Sequence, residues 1–306
     1  MEAKIHFIIV TYNAMKWAER CFSSLGKSSI PVQVIVVDNS STDGTQDYLK
    51  TQFPEVELIQ SPENMGFGKA NNLGIEIAYK KGADFFYLMN QDAWIYDDSV
   101  EQLLNVYNDY GQKQEIGILS PMHLDGSEKN LDLFLDKYIS QNFETRMISD
   151  LYLNSVKNYY EISFINAAHW FIPRDTIEKV GGFNPYFFHY GEDNEYVNRL
   201  TFHGKKILLC PNSKAVHDGK QELGKVDYQR YQNNSLEIKI LDPTYKNGLK
   251  KELQSLQLSR AKNFLKGNIN LVKELTSKYK KIKSESLDLE KLKTQVSQVG
   301  STFLNL

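Results

Sequence analysis

Two rhythms alternate along the first hundred residues. Short continuous apolar runs (Ile5–Val10, Val32–Val37, Val56–Gln60 and Phe85–Met89) predict strands. Between them, Ala14–Lys27 carries Trp17, Cys21, Phe22 and Leu25 at helical spacing, and Asp43–Gln52 and Lys69–Lys81 predict two further helices. The "NSSTDG" stretch ahead of the second helix offers Ser, Thr and Asp as N-caps. Strands that are apolar throughout and alternate with helices imply a parallel sheet covered on both faces. One more strand is expected at Ile116–Ser120, followed by loops and short helices over residues 123–160, where no period is visible. Order returns with a strand at Ile162–Ile172, a short helix at Arg174–Val180, and a helix at Glu192–His203 closed by Gly204. Strands at Lys206–Cys210 and Ala215–His217 follow. The expected class is α/β: a doubly wound, mainly parallel mixed sheet flanked by helices, with a helical C-terminal extension.

In such sheets ligands sit beyond the carboxyl ends of the strands. Three polar clusters should therefore share one edge: Thr11-Tyr12-Asn13, Asp38-Asn39-Ser40 and Asn90-Gln91-Asp92. Bulk properties narrow the ligand. A formal charge of −2 gives no global field to recruit nucleic acid. Cys21 and Cys210 match no zinc spacing and suit a reducing cytoplasm. The N-terminus enters a strand pattern directly, without the apolar run of a signal peptide. No stretch approaches the ~20 apolar residues of a membrane span, so a soluble cytoplasmic protein is expected. A dinucleotide fold would need G-x-G-x-x-G after the first strand, and "TYNAMKWAER" has no glycine. "GFGKA", at Gly66–Ala70, lacks both the spacing and the Ser or Thr of a phosphate loop.

What remains is a polar rim with one metal-competent carboxylate. Six stretches then carry a resemblance in register: "FIIVTYNAMKWAERCFSSL", "VIVVDNSSTDGT", "NMGFGKANNLGI", "YLMNQDA", "GGFNPYFFHYGEDNEYVNRL" and "AVHD". Over roughly residues 5–218 the chain resembles glycosyltransferase family 2, in particular its rhamnosyltransferase-like branch. The resemblance implies the GT-A architecture over residues 1–225, with a nucleotide-binding half (1–110) and an acceptor and catalytic half (111–225). Residues 226–306 form the extension. It further implies a divalent cation, Mn²⁺ or Mg²⁺, a nucleotide-diphosphate sugar donor (dTDP-rhamnose or a UDP-sugar), a glycan or lipid-linked acceptor, and inversion at the anomeric carbon.

The residue roles follow from that resemblance, and each has a plainer alternative. Asp38 would accept the N3–H of the pyrimidine base, or else cap the following helix. Thr11, Tyr12 and Asn13 would line the base and ribose, although Tyr12 also suits core-edge packing. Asn64, Gly66, Asn71 and Asn72 would close over the donor, unless Gly66 and Gly68 are turn glycines. The family's D-x-D pair stands here as Asn90-Gln91-Asp92, so only Asp92 keeps its carboxylate. One carboxylate with a diphosphate still suffices for Mg²⁺ or Mn²⁺. His217 would join Asp92 at the metal, tilting the choice toward Mn²⁺. Asp193 would be the general base and Glu192 an orienting group, both kept ionised by a helix N-terminus; the alternative is a pair of acidic caps. Trp170 and His189 could line the acceptor pocket or belong to the core.

From Lys246 to Lys283, Lys and Arg greatly outnumber Glu, and Leu249, Leu253 and Leu256 recur at helical spacing. The plain expectation is a helix that packs this stripe on the body. The sharper one is a peripheral membrane contact, since basic amphipathic helices are drawn to anionic lipid. The final "STFLNL" would suit self-association into a homo-oligomer. Two rival functions stay open: a sugar-nucleotide-binding or scaffold protein without catalysis, suggested by the missing first Asp, and a nucleotidyltransferase, which would want a glycine-rich phosphate loop.

Overall fold

A computed structural model describes residues 3–219 and 234–306. The expected boundary at 225/226 lies outside the described residues. Nine strands form one sheet: β1 (Ile5–Thr11), β2 (Val32–Asp38), β3 (Glu57–Gln60), β4 (Phe85–Asn90), β5 (Ala93–Ile95), β6 (Ile116–Leu124), β7 (Tyr160–Ile162), β8 (His169–Pro173) and β9 (Lys206–His217). Their order is β3-β2-β1-β4-β8-β6-β9-β5, with β7 also on β9. The first four are mutually parallel. β8 runs antiparallel to both β4 and β6, and β9 lies parallel to β6. The ends of β1, β2, β4, β6 and β9 therefore point to one edge.

Alternation along the strands separates two cores. Ile8, Phe86 and Leu88 face one layer, with Ile75 of α3 (Phe67–Lys80), Ile177 and Val180 of α7 (Arg174–Val180), and Tyr196 and Leu200 of α8 (Glu192–Phe202). Phe7, Ile9, Tyr87 and Met89 face the other, with Cys21 and Phe22 of α1 (Ala18–Leu25), Leu49 of α2 (Thr45–Gln52), and Leu103 and Val106 of α4 (Ser99–Asp109). Gly74 lets α3 lie directly on β1: a Cβ there would come within 2.4 Å of Ile8.

Several expectations need revision. The run Ile162–Ile172 is not one strand: Ile162 ends β7, residues 163–168 form a connection, and His169 begins β8, which has different neighbours. The two short strands before His217 are one, irregular in its pairing near Cys210 and Lys214. α4, with Val100, Leu103 and Val106 on its buried face, had no counterpart in the sequence reading. Residues 123–160 do hold short helices, α5 (Leu133–Gln141) and α6 (Met147–Tyr152).

The tail is helical as expected: α9 (residues 234–241), α10 (Gly248–Leu265), α11 (Ile269–Ser284) and α12 (Ser286–Val296). Its Leu stripe packs on the body, since Leu249, Ile282 and Leu289 share a third core with Phe187, Ile238 and Leu241. "STFLNL" docks on its own chain. Thr302 O accepts from Gly182 N–H at 2.9 Å, Asn305 N–H donates to Glu76 at 3.0 Å, and Leu304 packs on the first core. Among the described residues no helix is long and apolar enough to cross a membrane.

Candidate active site

Sheet register assembles the rim. Thr11 pairs with Asp38 and Val10 with Asn90, while Ala93 faces His217 across β5 and β9. Asp92 precedes Ala93, so it lands beside His217, with Oδ1 3.6 Å from Nε2. The Asp92 carbonyl accepts from Asp218 N–H at 2.8 Å, and Trp17 Nε1–H donates to the Asp218 carboxylate at 2.8 Å. Behind His217 stands Asp132, fully buried, whose Oδ2 lies 3.2 Å from His217 Nδ1. The other oxygen of Asp132 caps α5, accepting from Phe134 and Leu135 N–H. Burial alone would lower the His217 pKa, but the Asp132 hydrogen bond and the Asp92, Asp132 and Asp218 charges outweigh it and hold the value up. For Asp132 the balance is the reverse: burial would raise its carboxyl, and the His217 contact keeps it below the ordinary range.

These groups bear on the implied cation. With Nδ1 turned to Asp132, Nε2 is the nitrogen that faces Asp92, the carboxylate–histidine arrangement that orients a metal-binding imidazole. Among the described residues no three His, Cys, Asp or Glu side chains form a metal-holding group. The two donors nevertheless fit a cation that takes its remaining ligands from phosphates and water. Gly219 lies against both: a Cβ there would lie 2.7 Å from His217 Nε2 and 3.2 Å from Asp92 Oδ2. Asn90, the amide in place of the first Asp, sits 3.5 Å from His217 Nε2 through Nδ2, and its buried Oδ1 meets no partner among the described residues.

The nucleotide rim behaves differently from expectation. Asp38 is fully buried, and its carboxylate accepts from Thr11 Oγ1 (2.7 Å), Ser41 N–H (2.9 Å), Ser41 Oγ (2.5 Å) and Gln46 Nε2 (2.5 Å). A base N3–H would have to displace one of these donors; here Asp38 clamps the β1 and β2 ends to the following turn. Asn13, in the left-handed region at φ 53°, accepts from Thr42 N–H through Oδ1. Gln91 bridges the β1 and β4 ends, its amide accepting from Tyr12 N–H and donating to Tyr12 O. That leaves the Tyr12 ring about half exposed on the rim (48%), as a surface for stacking.

Asn64 makes a turn by accepting from Gly66 N–H, and Gly66 O accepts from Asn39 Nδ2. Gly66, at φ 83°, is bound to be glycine because a Cβ would meet Phe188 O at 2.4 Å. Asn71 and Asn72 do not line the rim. Asn71 donates to Phe67 O within its own helix, and Asn72 grips Phe183 through both N–H and C=O, at 2.7 and 2.8 Å. Their amides are spent on the backbone, so the donor-binding role assigned to them is withdrawn.

The acidic pair lies on the same sheet edge. α8 feeds β9 through a short turn and packs along the sheet, so its N-terminus returns to the edge where the strands finish. The N-terminus of α3 meets it there: Phe67 N–H donates to Phe188 O at 3.3 Å, and a Cβ on Gly68 would lie 3.9 Å from Glu192 Cβ. Glu192 is buried, with Oε1 3.9 Å from His189 Nδ1 and Oε2 without a partner among the described residues. Asp193 is half-buried and accepts from Asn194 N–H. The helix N-terminus does not keep the pair ionised. Burial, reinforced by the Asp193 charge, pushes Glu192 up to about 8, and burial pushes Asp193 up to about 6. Two adjacent carboxyls, both raised by burial, favour sharing one proton near neutral pH, and Glu192, raised further by the Asp193 charge, is the better seat for it. His189 stands at the mouth of this pair, whereas Trp170 is fully buried between Phe183 and Tyr196, a core residue.

Two side chains hold the segment before α8. Arg199, fully buried, pairs with Glu195 (3.0 Å) and donates to Val180 O and Gly182 O (2.5 and 2.7 Å). Tyr186 donates to Glu285 of the tail at 2.6 Å.

The comparisons bear on the family and the fold. Residues 6–180 match glycosyl transferase family 2. An O-antigen chain rhamnosyltransferase, WbaN of Salmonella anatum, is 27% identical over 73% of this chain and 69% of its own. The N-acetylglucosaminyl-diphospho-decaprenol L-rhamnosyltransferase of Mycobacterium tuberculosis is 25% identical over 71% of this chain and 77% of its own. Among solved structures, the mannosyltransferase PcManGT of Pyrobaculum calidifontis, in complex with GDP-Man and Mn²⁺, superposes with a TM-score of 0.54 at 15% identity. That match covers 83% of this chain and 65% of the other, so the chain spans about two thirds of that neighbour, and the likeness shows a shared GT-A fold. With residues 6–180, more than half of its length, matched, this chain belongs to glycosyl transferase family 2.

Proposed function

We propose that the protein is an inverting, cation-assisted glycosyltransferase. It moves a sugar, with rhamnose from dTDP-rhamnose as the first candidate and UDP-sugars as the second, to a hydroxyl of a glycan or lipid-linked saccharide in surface polysaccharide synthesis. The observation that carries the reading is the common edge shared by Asp92 and His217 with the Glu192–Asp193 pair. Rhamnosyl transfer is suggested by the two bacterial relatives, one of which acts on a decaprenol-linked acceptor.

The acceptor hydroxyl gives its proton to Asp193, the ionised carboxylate of the pair, as its oxygen bonds to the anomeric carbon. The bond from that carbon to the donor's diphosphate breaks in the same displacement, which inverts the configuration. A positioned base is worth roughly 10²–10⁴-fold. Glu192 stays protonated at neutral pH and can donate a hydrogen bond to a sugar oxygen. Mn²⁺ or Mg²⁺ held by Asp92 and His217 would neutralise charge on the departing diphosphate. Asp132 fixes the ring of His217, and Tyr12 offers a face to the base.

The test is release of nucleoside diphosphate from dTDP-rhamnose and UDP-sugars, with Mn²⁺ and an acceptor panel, by wild type and Asp193→Asn. At least about a hundredfold loss of turnover with retained nucleotide binding is expected. Unchanged turnover in the variant would remove Asp193 from the mechanism. Wild type that binds donor and never releases product would favour the non-catalytic binding role.

A further inference from the structure

We propose that the hairpin of α10 and α11 is a membrane-docking arm that seats its tip in an anionic lipid surface. The helices run antiparallel, since Gln257 Nε2–H donates to Tyr279 OH at 2.9 Å and Arg260 stacks over the Tyr279 ring. Between Leu256 and Ile282 no residue is buried. From Gln257 to Leu265 the helix extends roughly 12 Å further, at about 1.5 Å per residue. The arm therefore stands off the body that its base packs against.

The tip is apolar where a soluble arm should be polar. Leu265 is 85% exposed and Phe264 66%, with Ile269 and Leu271 exposed on the other side of the turn at Gly267. Lys262, Lys266 and Lys273 flank them. Residues 257–281 hold seven Lys and Arg against one acid, Glu274, a net of +6 in a chain whose total is −2. Apolar side chains at the end with lysines within a turn suit the interface of a bilayer: the rings and branches enter the acyl boundary and the ammonium groups meet the phosphates. A second copy is a poorer occupant. In the groove of about 1090 Å³ beside β7, Lys157, Lys205 and Lys206 are matched by Glu144, Glu161 and Asp242, so it offers the basic tip no acidic seat.

This inference goes beyond the sugar-transfer reading and does not rest on it, because the assay contains no donor or acceptor. The full chain is sedimented with phosphatidylcholine vesicles, with and without phosphatidylglycerol. Wild type should bind the anionic vesicles, and salt should weaken it. The pair Phe264→Ser with Leu265→Ser should bind at least about tenfold more weakly. The triple Lys262→Gln, Lys266→Gln, Lys273→Gln should lose on the order of a hundredfold. All five side chains are exposed, so both variants should melt with the wild type. Failure of the wild type to bind, or binding by either variant at wild-type strength, overturns the proposal. So does a wild-type dimer that the serine pair makes monomeric in the absence of vesicle binding, which would assign the tip to a second copy.

Discussion

Glu192→Gln should make the protein more stable and a worse enzyme, and the gain in stability should depend on pH in a defined direction. Glu192 is buried, one of its oxygens meets no donor among the described residues, and burial pushes the group up to about 8. In the unfolded chain the same carboxyl ionises near the ordinary glutamate value of 4.5. Between those two values the unfolded state binds fewer protons than the folded one, so stability falls as pH rises. By pH 7 roughly two and a half pH units separate the medium from the unfolded pKa, each worth about 1.4 kcal/mol, so the cost is on the order of 3 kcal/mol. A glutamine has the shape of the protonated acid and no such cost. Urea unfolding of wild type and variant across pH 5 to 8 measures it. The two should be nearly equal at pH 5, with the variant ahead by a few kcal/mol at pH 8. A difference that stays flat with pH, or grows toward acid, would refute the argument that burial of this carboxylate is uncompensated.

Three further outcomes follow from neighbouring geometry. Arg199→Met should lower stability by about 3–5 kcal/mol in chemical denaturation, because it leaves Glu195 charged and unpaired in the core and frees the carbonyls of Val180 and Gly182. Gly219→Ala should abolish the Mn²⁺ dependence of nucleotide binding by calorimetry while the melting temperature stays within a few degrees, since its methyl would enter the space beside His217 and Asp92. Gly66→Ala, strained at its positive φ and driven against Phe188 O, should destabilise the chain by about 1–3 kcal/mol and lower turnover together, read from parallel melting and product-release assays.

The strand ends were legible because β1, β2 and β4 are mostly apolar, with His6 and Gln33 as exceptions, and stop abruptly at polar residues. What those polar residues do was less so. Asp38 shares a strand face with Val36, which faces the second core, so its carboxylate turns inward toward α2. Asn71 and Asn72 were assigned to the rim by motif, yet the helical period places them on the buried face with Gly68 and Ile75. The run from Ile162 to Ile172 holds Ser163 and Asn166 among its apolar residues, too weak a break to show that it leaves one strand pairing and enters another. Asp132 had no signal at all: it lies 85 residues from His217 in a stretch without period, and only the fold brings them together. The pKa reversal at Glu192 was equally hidden, since a helix start favours the anion and only the packed surroundings decide that burial prevails.

The loop that carries the acidic pair is completed by residues made long after it. Gly182 leans on Thr302, Tyr186 on Glu285, and Phe187 on a core shared with Ile282 and Leu289. During synthesis the sheet can form while these late partners are still inside the ribosome, since domains fold as their sequence emerges. The acidic loop therefore reaches its final packing only once these late residues have emerged, so a chain cut before residue 285 should form the sheet and leave this loop unsupported.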